Sequence, residues 1–367
     1  MHIPDHYLSP QTCAVMTAAV APAWVVSIKR IRLDLPLNKI SLMGVGAAFS
    51  FLGMMFNIPL PGGTTGHAVG GTLIALLLGP YAACISVSMA LLLQALLFGD
   101  GGILAFGANC FNMAFVLPFV GYAVACLLAP ELRNGVGNTA AGSGSHTDPK
   151  TGMLTGASSA GQTRKKLIAA AVGSYAGINA AALCAAIEFG VQPLLFSDAA
   201  GRALYCPYPL WVSVPAMLVG HLTVWGAAEV VFTVGILAFV RRVAPGFGLG
   251  DLAGDGVQAA PVRAARPVLA LVAALAVLTP LGLLATGDAW GEWSTADLAA
   301  QVGYTPTGMA HGWEWASLMP DYSLGALPSW LGYVLSAAIG VGALLVAFRL
   351  LGAGASSRVD FGPRHDG

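Results

Sequence analysis

The chain has 367 residues, with 17 basic and 17 acidic side chains that leave no net charge at pH 7 when the histidines are neutral. Hydrophobic residues make up 56% and charged residues 9%, whereas about a quarter of the residues of a soluble globular protein are charged. This composition excludes an ordinary soluble domain, and the zero net charge gives no bulk attraction to nucleic acid. Because the apolar segments are long rather than short and alternating, we predict an all-α, polytopic helical membrane protein in the lipid bilayer.

The first residues, MHIPDH at positions 1–6, have the chemistry of a metal chelator. The α-amine of Met1, the backbone nitrogen of His2 and an imidazole nitrogen of His2 can bind one ion and close two chelate rings near one plane. Three nitrogens in a plane suit Ni(II) or Cu(II). A fourth ligand must come from elsewhere, and His67, at the end of the glycine-rich segment 62–67, is the candidate.

Nine membrane spans are predicted along the chain, at about 12–28, 40–58, 67–79, 81–98, 109–129, 167–187, 211–240, 267–287 and 329–350. The third is short for a bilayer crossing and is either tilted, partly re-entrant or buried in protein. Basic residues follow the first span and do not precede it, which argues against a cleavable signal peptide and places the amino terminus outside the cell. Of all the basic residues, only Arg202 then lies on the outer side. The carboxyl terminus is predicted to be cytoplasmic, and the membrane to be the inner membrane of a bacterium or an archaeon.

The spans divide into two predicted parts. Residues 1–242 form a seven-span metal-binding body with a flexible cytoplasmic loop at 130–166, which is rich in small polar residues. A cytoplasmic linker at 243–266 leads to a two-span hairpin at 267–350. The hairpin has a large extracytoplasmic loop at 288–328, and a cytoplasmic tail follows at 351–367.

Polar side chains within predicted spans suggest a cavity or a pathway, because they are costly in a bilayer. They are Asn57, Gln94, Asn109, Asn112, His221 and Glu229. His221 and Glu229 lie close to one face of a helix and are either a second ion site or hydrogen-bond partners between helices. Asp100, among three glycines, is either a turn residue or an acceptor that orients a histidine.

Several motifs of enzymes are missing from the sequence. It has no G-x-x-x-x-G-K-[ST] phosphate loop and no H-E-x-x-H metalloprotease motif. Catalytic carboxylate pairs and a nucleophile elbow are also missing. We therefore expect a protein that is not an enzyme, with any ATP hydrolysis carried out by partner subunits.

Four segments together resemble one protein family. They are 1–5 (MHIPD) with 7–10 (YLSP), 62–67 (GGTTGH), 94–102 (QALLFGDGG), and 107–109 (GAN) with 111–113 (FNM). They resemble the substrate-capture membrane subunit, of the CbiM and NikM type, of cobalt and nickel energy-coupling-factor importers. The hairpin, with Met319-Pro320-Asp321-Tyr322, resembles the small accessory subunit of these systems (the CbiN and NikN type), fused into the same chain.

The resemblance implies a planar site in which the nitrogen of Met1, two nitrogens of His2 and one nitrogen of His67 hold the ion. The candidates for shaping this site are Asp5, His6, Asn57, Thr65, Asp100 and Asn109. Position 6 departs from the family, which usually has glycine there. His6 could disturb the loop, add an axial ligand or have no effect.

The resemblance also implies partners: a membrane coupling subunit and two ATPase subunits. The function predicted is high-affinity capture of Ni(II) or Co(II) at the extracytoplasmic face and delivery across the membrane, with no permanently bound cofactor. One alternative is a stand-alone secondary metal permease, which would need a charged relay in the membrane that only His221 and Glu229 offer. A membrane redox enzyme and a metal sensor without transport are further alternatives.

Overall fold

The computed structural model describes residues 1–35, 37–60, 64–135, 160–243, 262–285, 287–313 and 315–357. Some predictions concern residues outside these ranges. These residues are the glycines at 62 and 63, most of the loop 130–166, most of the linker 243–266 and the end of the tail 351–367.

The first part of the chain is helical apart from one small hairpin of strands. Its helices are α1 (Pro10–Asp34), α2 (Leu37–Met55), α3 (Gly71–Leu78), α4 (Pro80–Leu93), α5 (Phe106–Asn109), α6 (Leu117–Leu128), α7 (Ala160–Gly190), α8 (Gln192–Leu195), α9 (Leu210–Leu222) and α10 (Val224–Val243). Strands β1 (Ile58–Leu60) and β2 (Thr64–Gly66) pair antiparallel. Two π-helical turns, Gln94–Phe98 and Cys110–Val116, extend α4 and α5, and a short 3₁₀ helix spans Pro130–Gly135.

The accessory part is also helical. It contains α11 (Val262–Leu278), α12 (Thr295–Val302), α13 (Thr307–Ala310) and α14 (Ser329–Ser357), with short 3₁₀ helices at Thr279–Leu284 and Pro320–Tyr322. Helix α14 packs against α2 at glycines: Gly340 lies against Phe51, and Gly44 against Phe348. The accessory hairpin therefore packs directly against the body.

Seven helical segments in the described ranges are long and apolar enough to cross a membrane. They are Pro10–Leu33, Pro80–Phe98, Phe106–Leu128, Gly161–Leu195, Val224–Val243, Arg266–Leu284 and Ser329–Ala353. The prediction of a polytopic helical membrane protein is confirmed.

Three predicted spans differ from the observed helices. The helix of the span expected at 40–58 ends at Met55, and strand β1 begins at Ile58. The span expected at 67–79 is the eight-residue α3, which at 1.5 Å per residue is about 12 Å long and too short to cross a bilayer. The span expected at 211–240 is interrupted at Thr223, which has non-helical backbone angles. The Thr223 hydroxyl donates to the Val219 carbonyl at 2.6 Å, and such a bond from threonine to the preceding turn bends helices.

Helices α6 and α7 approach closely because glycines face each other across their contact. A Cβ atom on Gly173 would collide with the backbone carbonyl of Gly121, and one on Gly177 would lie 2.5 Å from the carbonyl of Leu117. Small residues allow membrane helices to approach in this way.

We predict that Gly177→Ala lowers the melting temperature of the purified protein in detergent. Overpacking against backbone costs about 1–3 kcal/mol, which outweighs the gain of about 1 kcal/mol that alanine brings to a helix. Gly235→Ala is the matched control, since a Cβ atom there meets nothing within 4 Å, and it should keep or raise the melting temperature. Equal effects of the two substitutions would contradict this account of the α6–α7 contact.

Candidate metal centre

The amino-terminal segment is folded into the body. The side chain of Ile3 is fully buried, and both of its backbone polar groups bind Asn109: Ile3 N donates to Asn109 Oδ1 at 2.8 Å, and Asn109 Nδ2 donates to Ile3 O at 3.1 Å. The amide of Gly102 donates to the same carbonyl at 2.9 Å. Asn109, predicted to shape the site, therefore fixes the backbone next to His2.

Asp5 fixes the same segment from its other end. Its Oδ1 accepts from the amide of Leu104 at 2.9 Å. A Cβ atom on Gly102 would collide with Asp5, so this position needs glycine. Asp5 thus holds the amino-terminal segment against the loop that also carries Asp100.

The two predicted histidine ligands lie side by side. His2 and His67 are 3% and 5% exposed, and their ring centroids are 4.9 Å apart with an angle of 31° between the planes. Nδ1 of His2 lies 2.5 Å from Oδ1 of Asp100, and Nδ1 of His67 contacts the Ala68 carbonyl at 3.2 Å. In both rings Nε2 is buried and has no hydrogen-bond partner, so each ring has a nitrogen available for an ion.

Asp100 connects His2 to the accessory hairpin. Its Oδ2 accepts from the hydroxyl of Tyr322 in a short hydrogen bond and from Gln94 Nε2 at 3.2 Å. Burial alone would raise the pKa of Asp100, but the neighbouring His2 imidazole and the Tyr322 hydroxyl lower it well below its usual range. The sequence left two interpretations of Asp100, a turn residue or an acceptor that orients a histidine. Its contact with His2 favours the second.

The amine of Met1 is buried next to a carboxylate. Met1 is 5% exposed, and its amino nitrogen lies 3.5 Å from Oε1 of Glu292 in the accessory hairpin. Burial, the Met1 amine and His2 lower the pKa of His67 well below its ordinary value. His67 is therefore neutral at pH 7 and retains a lone pair for a metal.

One feature differs from the chelate predicted from the sequence. A six-membered ring with the backbone nitrogen of His2 uses Nδ1 of the same residue, and in the structure this atom faces Asp100. In this orientation of the His2 ring, Nε2 rather than Nδ1 is the nitrogen without a partner. Forming the predicted chelate requires the His2 side chain to turn.

The other predicted site residues lie around this centre. Thr65 is buried in β2 and forms a bridge with Ala289 of the accessory hairpin. Asn57 is half-buried next to Gly282. His6 has a left-handed backbone conformation with φ +76°, a conformation that suits the glycine usual in the family, and its ring lies against Gly312.

His221 and Glu229 bind different groups. Nδ1 of His221 contacts the Met217 carbonyl at 2.7 Å, while Glu229 accepts from backbone amides after His67. Of the two interpretations, hydrogen bonding between helices describes Glu229, whose partners are backbone amides just before α3, whereas the contact of His221 lies within α9. In the described part of the chain, no group of three or more His, Cys, Asp or Glu side chains is arranged to hold a metal.

Comparison with known proteins agrees with the resemblance found in the sequence. Residues 2–247 match the CbiM model, described as the substrate-specific transmembrane region of cobalt uptake, and residues 266–356 match the PDGLE domain. The chain belongs to the CbiM family.

Relatives match over nearly their whole length. The chain is 47% identical to the fused nickel transport protein NikMN of Rhodobacter capsulatus, covering 96% of this chain and 97% of the relative. It is 45% identical to the probable fused nickel transport protein LarMN of Lactiplantibacillus plantarum, covering 95% and 97%. A crystal structure of a truncated transition metal transporter is 48% identical with a TM-score of 0.54, covering 66% of this chain and 99% of the other.

These relatives are named as transport proteins. The chain is therefore a multi-pass membrane protein of transition-metal uptake and not an enzyme. Sequence reasoning did not find Glu292, and it recognised Tyr322 only as part of a motif. Both residues reach the centre through tertiary contacts of the loop at 288–328 of the hairpin, the accessory loop.

We predict that His6→Gly stabilises the protein, because a left-handed conformation costs an L-residue about 1–2 kcal/mol. The measurement is thermal unfolding of the purified protein in detergent. Gly312→Ala should destabilise the parent protein, since its methyl group would collide with the His6 ring. The same substitution should be tolerated in the His6→Gly background, and an equal cost in both backgrounds would contradict the contact.

Proposed function

We propose that this protein captures Ni(II) or Co(II) at the extracytoplasmic face and delivers it across the membrane as the substrate-specific component of an ATP-driven energy-coupling-factor importer. The observation that supports this most directly is the buried amino terminus. It brings a primary amine and two histidines with unpartnered Nε2 atoms into one small volume.

The proposed ligands are the amine of Met1, the backbone nitrogen and a ring nitrogen of His2, and Nε2 of His67. Nδ1 of His67 is occupied by the Ala68 carbonyl, so only Nε2 of that ring is available. Capture includes a turn of the His2 ring that replaces the contact of Nδ1 with Asp100 by a contact with the ion. The carboxylates of Asp100 and Glu292, 2.5 Å and 3.5 Å from the proposed ligand residues, offset the charge of the ion.

A planar set of nitrogens determines which ions are accepted. Mg(II) and Ca(II) prefer oxygen ligands, and Zn(II) prefers a tetrahedral arrangement. Intrinsic affinity alone would favour Cu(II) over Ni(II) and Co(II), so the supply of metal contributes to selectivity.

The distribution of basic residues supports the orientation in the membrane. Arg241 and Arg242 are in the last turn of α10, at the end of the helix farther from Glu229 and the centre, as expected if that end is cytoplasmic. We propose an inner-membrane protein with its amino terminus outside and its carboxyl terminus inside. A membrane coupling subunit and two ATPase subunits supply the energy for release.

We predict that His2→Ala and His67→Ala each abolish nickel uptake by cells and remove stoichiometric nickel from the purified protein, while membrane insertion is kept. Each removes one nitrogen of the proposed plane. His311→Ala is the control, because His311 is an exposed histidine of the accessory loop, and it should leave uptake unchanged.

Adding one residue before Met1 should abolish binding as well. The amine would be displaced, and the nearly complete burial of Met1 leaves little room for another residue. The same residue added to the carboxyl terminus is the control. Normal nickel uptake by the amino-terminally extended protein would exclude the amine as a ligand, and uptake without ATPase subunits would instead favour the secondary permease.

We predict that Tyr322→Phe weakens nickel binding about tenfold, because a hydrogen bond to a charged group contributes about 1.5–3 kcal/mol. Asp100 loses one of its donors, and the accessory loop loses a contact with the centre. Tyr304→Phe is the control in the same loop, since its hydroxyl accepts from the amide of Ala203 instead. Isothermal titration of the two purified variants gives the comparison, and equal affinities would contradict a role of the accessory loop in binding.

A further inference from the structure

The segment that carries His67 is held by a helix distant in sequence. It connects β2 to α3, and α3 begins after Gly70, which has no side chain to cap the helix. Glu229 of α10 accepts from the amide of Val69 at 2.7 Å and from the amide of Gly70 at 3.0 and 3.1 Å. These amides belong to the two residues immediately before α3.

Glu229 is fully buried within the helical bundle. A carboxylate in a membrane-spanning helix is costly and marks a functional site by default. The hydrogen bonds from two backbone amides offset that cost. The position of this carboxylate is therefore tied to the position of the loop.

The contact with Glu229 reaches the His67 ring through a single peptide group. The bond between Ala68 and Val69 is planar, so the Val69 N–H and the Ala68 carbonyl turn together. The N–H donates to Glu229, and the carbonyl accepts from Nδ1 of His67. Glu229 thus fixes the group that orients the imidazole and leaves its Nε2 free, as outer-shell partners of metal-binding histidines do.

Other side chains on the same face of α10 hold the neighbouring backbone. Trp225 and Phe232 lie four residues before and three residues after Glu229, which places all three on one side of the helix. Trp225 packs against Gly66, and its Nε1 donates to the Ile58 carbonyl at 2.9 Å. Phe232 packs against Gly70.

We propose that Glu229 is a positioning residue for His67, and that through it α10 determines where this histidine lies relative to His2. The proposal rests on the proposed function, in which His67 binds the metal. From Glu229, α10 extends about 20 Å to Arg242 in its last turn. A displacement of this helix by a partner would thereby reach the centre.

The test compares Glu229→Gln and Glu229→Leu with the parent protein, each purified as the full chain in detergent and titrated with nickel. The readouts are affinity and the ligand-field absorption of the bound ion, together with the melting temperature. Loss of a partner that orients a metal-binding histidine lowers affinity by about 10- to 100-fold. We expect the affinity of the leucine variant to fall by the upper end of this range, with a changed spectrum. The glutamine variant keeps one acceptor, and its affinity should fall by about 10-fold, the lower end of the range.

Glu188→Gln is the matched control. Glu188 is also buried, but it accepts from the side chain of Asn112 at 2.9 Å rather than from the backbone after His67. This variant should bind nickel with the affinity and spectrum of the parent protein. If it changes both as strongly as Glu229→Gln, the effect is not specific to the His67 loop and the proposal is wrong.

The outcomes separate this proposal from the function on which it rests. If the parent binds no nickel, or His67→Ala binds it normally, the proposed function fails. If the parent binds, His67→Ala does not, and both Glu229 variants keep the parental affinity and spectrum, only the role of Glu229 is excluded. A lower melting temperature with unchanged affinity and spectrum would likewise show that Glu229 is merely structural. If the leucine variant does not fold, the glutamine variant decides.

Discussion

The burial of the Met1 amine is the constraint on which the proposed centre depends. An amine inside a protein is costly unless a partner offsets its charge, and Glu292 lies 3.5 Å from it. The backbone behind the amine is held at Ile3 by Asn109. These contacts make the first residue part of the folded structure. Hydrogen bonds from Gly102 and Leu104 also join the first six residues to the loop around Asp100.

The two histidines are supported from opposite sides by different parts of the chain. Nδ1 of His2 faces Asp100, which in turn accepts from Tyr322 of the accessory hairpin. Nδ1 of His67 contacts a carbonyl whose peptide group is held by Glu229 of α10. In the structure each ring is oriented through Nδ1 and leaves Nε2 without a partner. His67 is already placed to offer Nε2, whereas the proposed chelate requires the His2 ring to turn. Because the supports are independent, a change in the hairpin and a change in α10 would act on different ligands of the same ion.

The sequence predicted the helical membrane fold, and it named the residues that meet at the proposed centre together with Asp5, Asp100 and Asn109 around them. It did not predict the contacts of Glu292, Tyr322 and Glu229. Chelation by the first two residues follows from local bond geometry, and long apolar segments identify spans. Glu292 and Tyr322 are far from His2 in the chain, and no periodicity links them to it. Glu229 stands out as a carboxylate in a span, but its partners are backbone amides, which have no signature in the sequence. Helix α3 is short because it lies between Gly70 and Gly79, which both have positive φ, and the break at Thr223 accompanies a single side-chain hydrogen bond.

The position of the His2 ring connects the accessory hairpin to metal capture. A chelate with the backbone nitrogen of His2 uses Nδ1 of that residue, the atom that faces Asp100 in the structure. In the capture that we propose, Asp100 competes with the ion for this nitrogen, and the strength of that competition depends on how Asp100 is held. Tyr322 donates to Asp100 from the hairpin, so the seating of the hairpin affects the energy needed to turn the ring. Fusing the hairpin to the body keeps this control next to the ligand on which it acts.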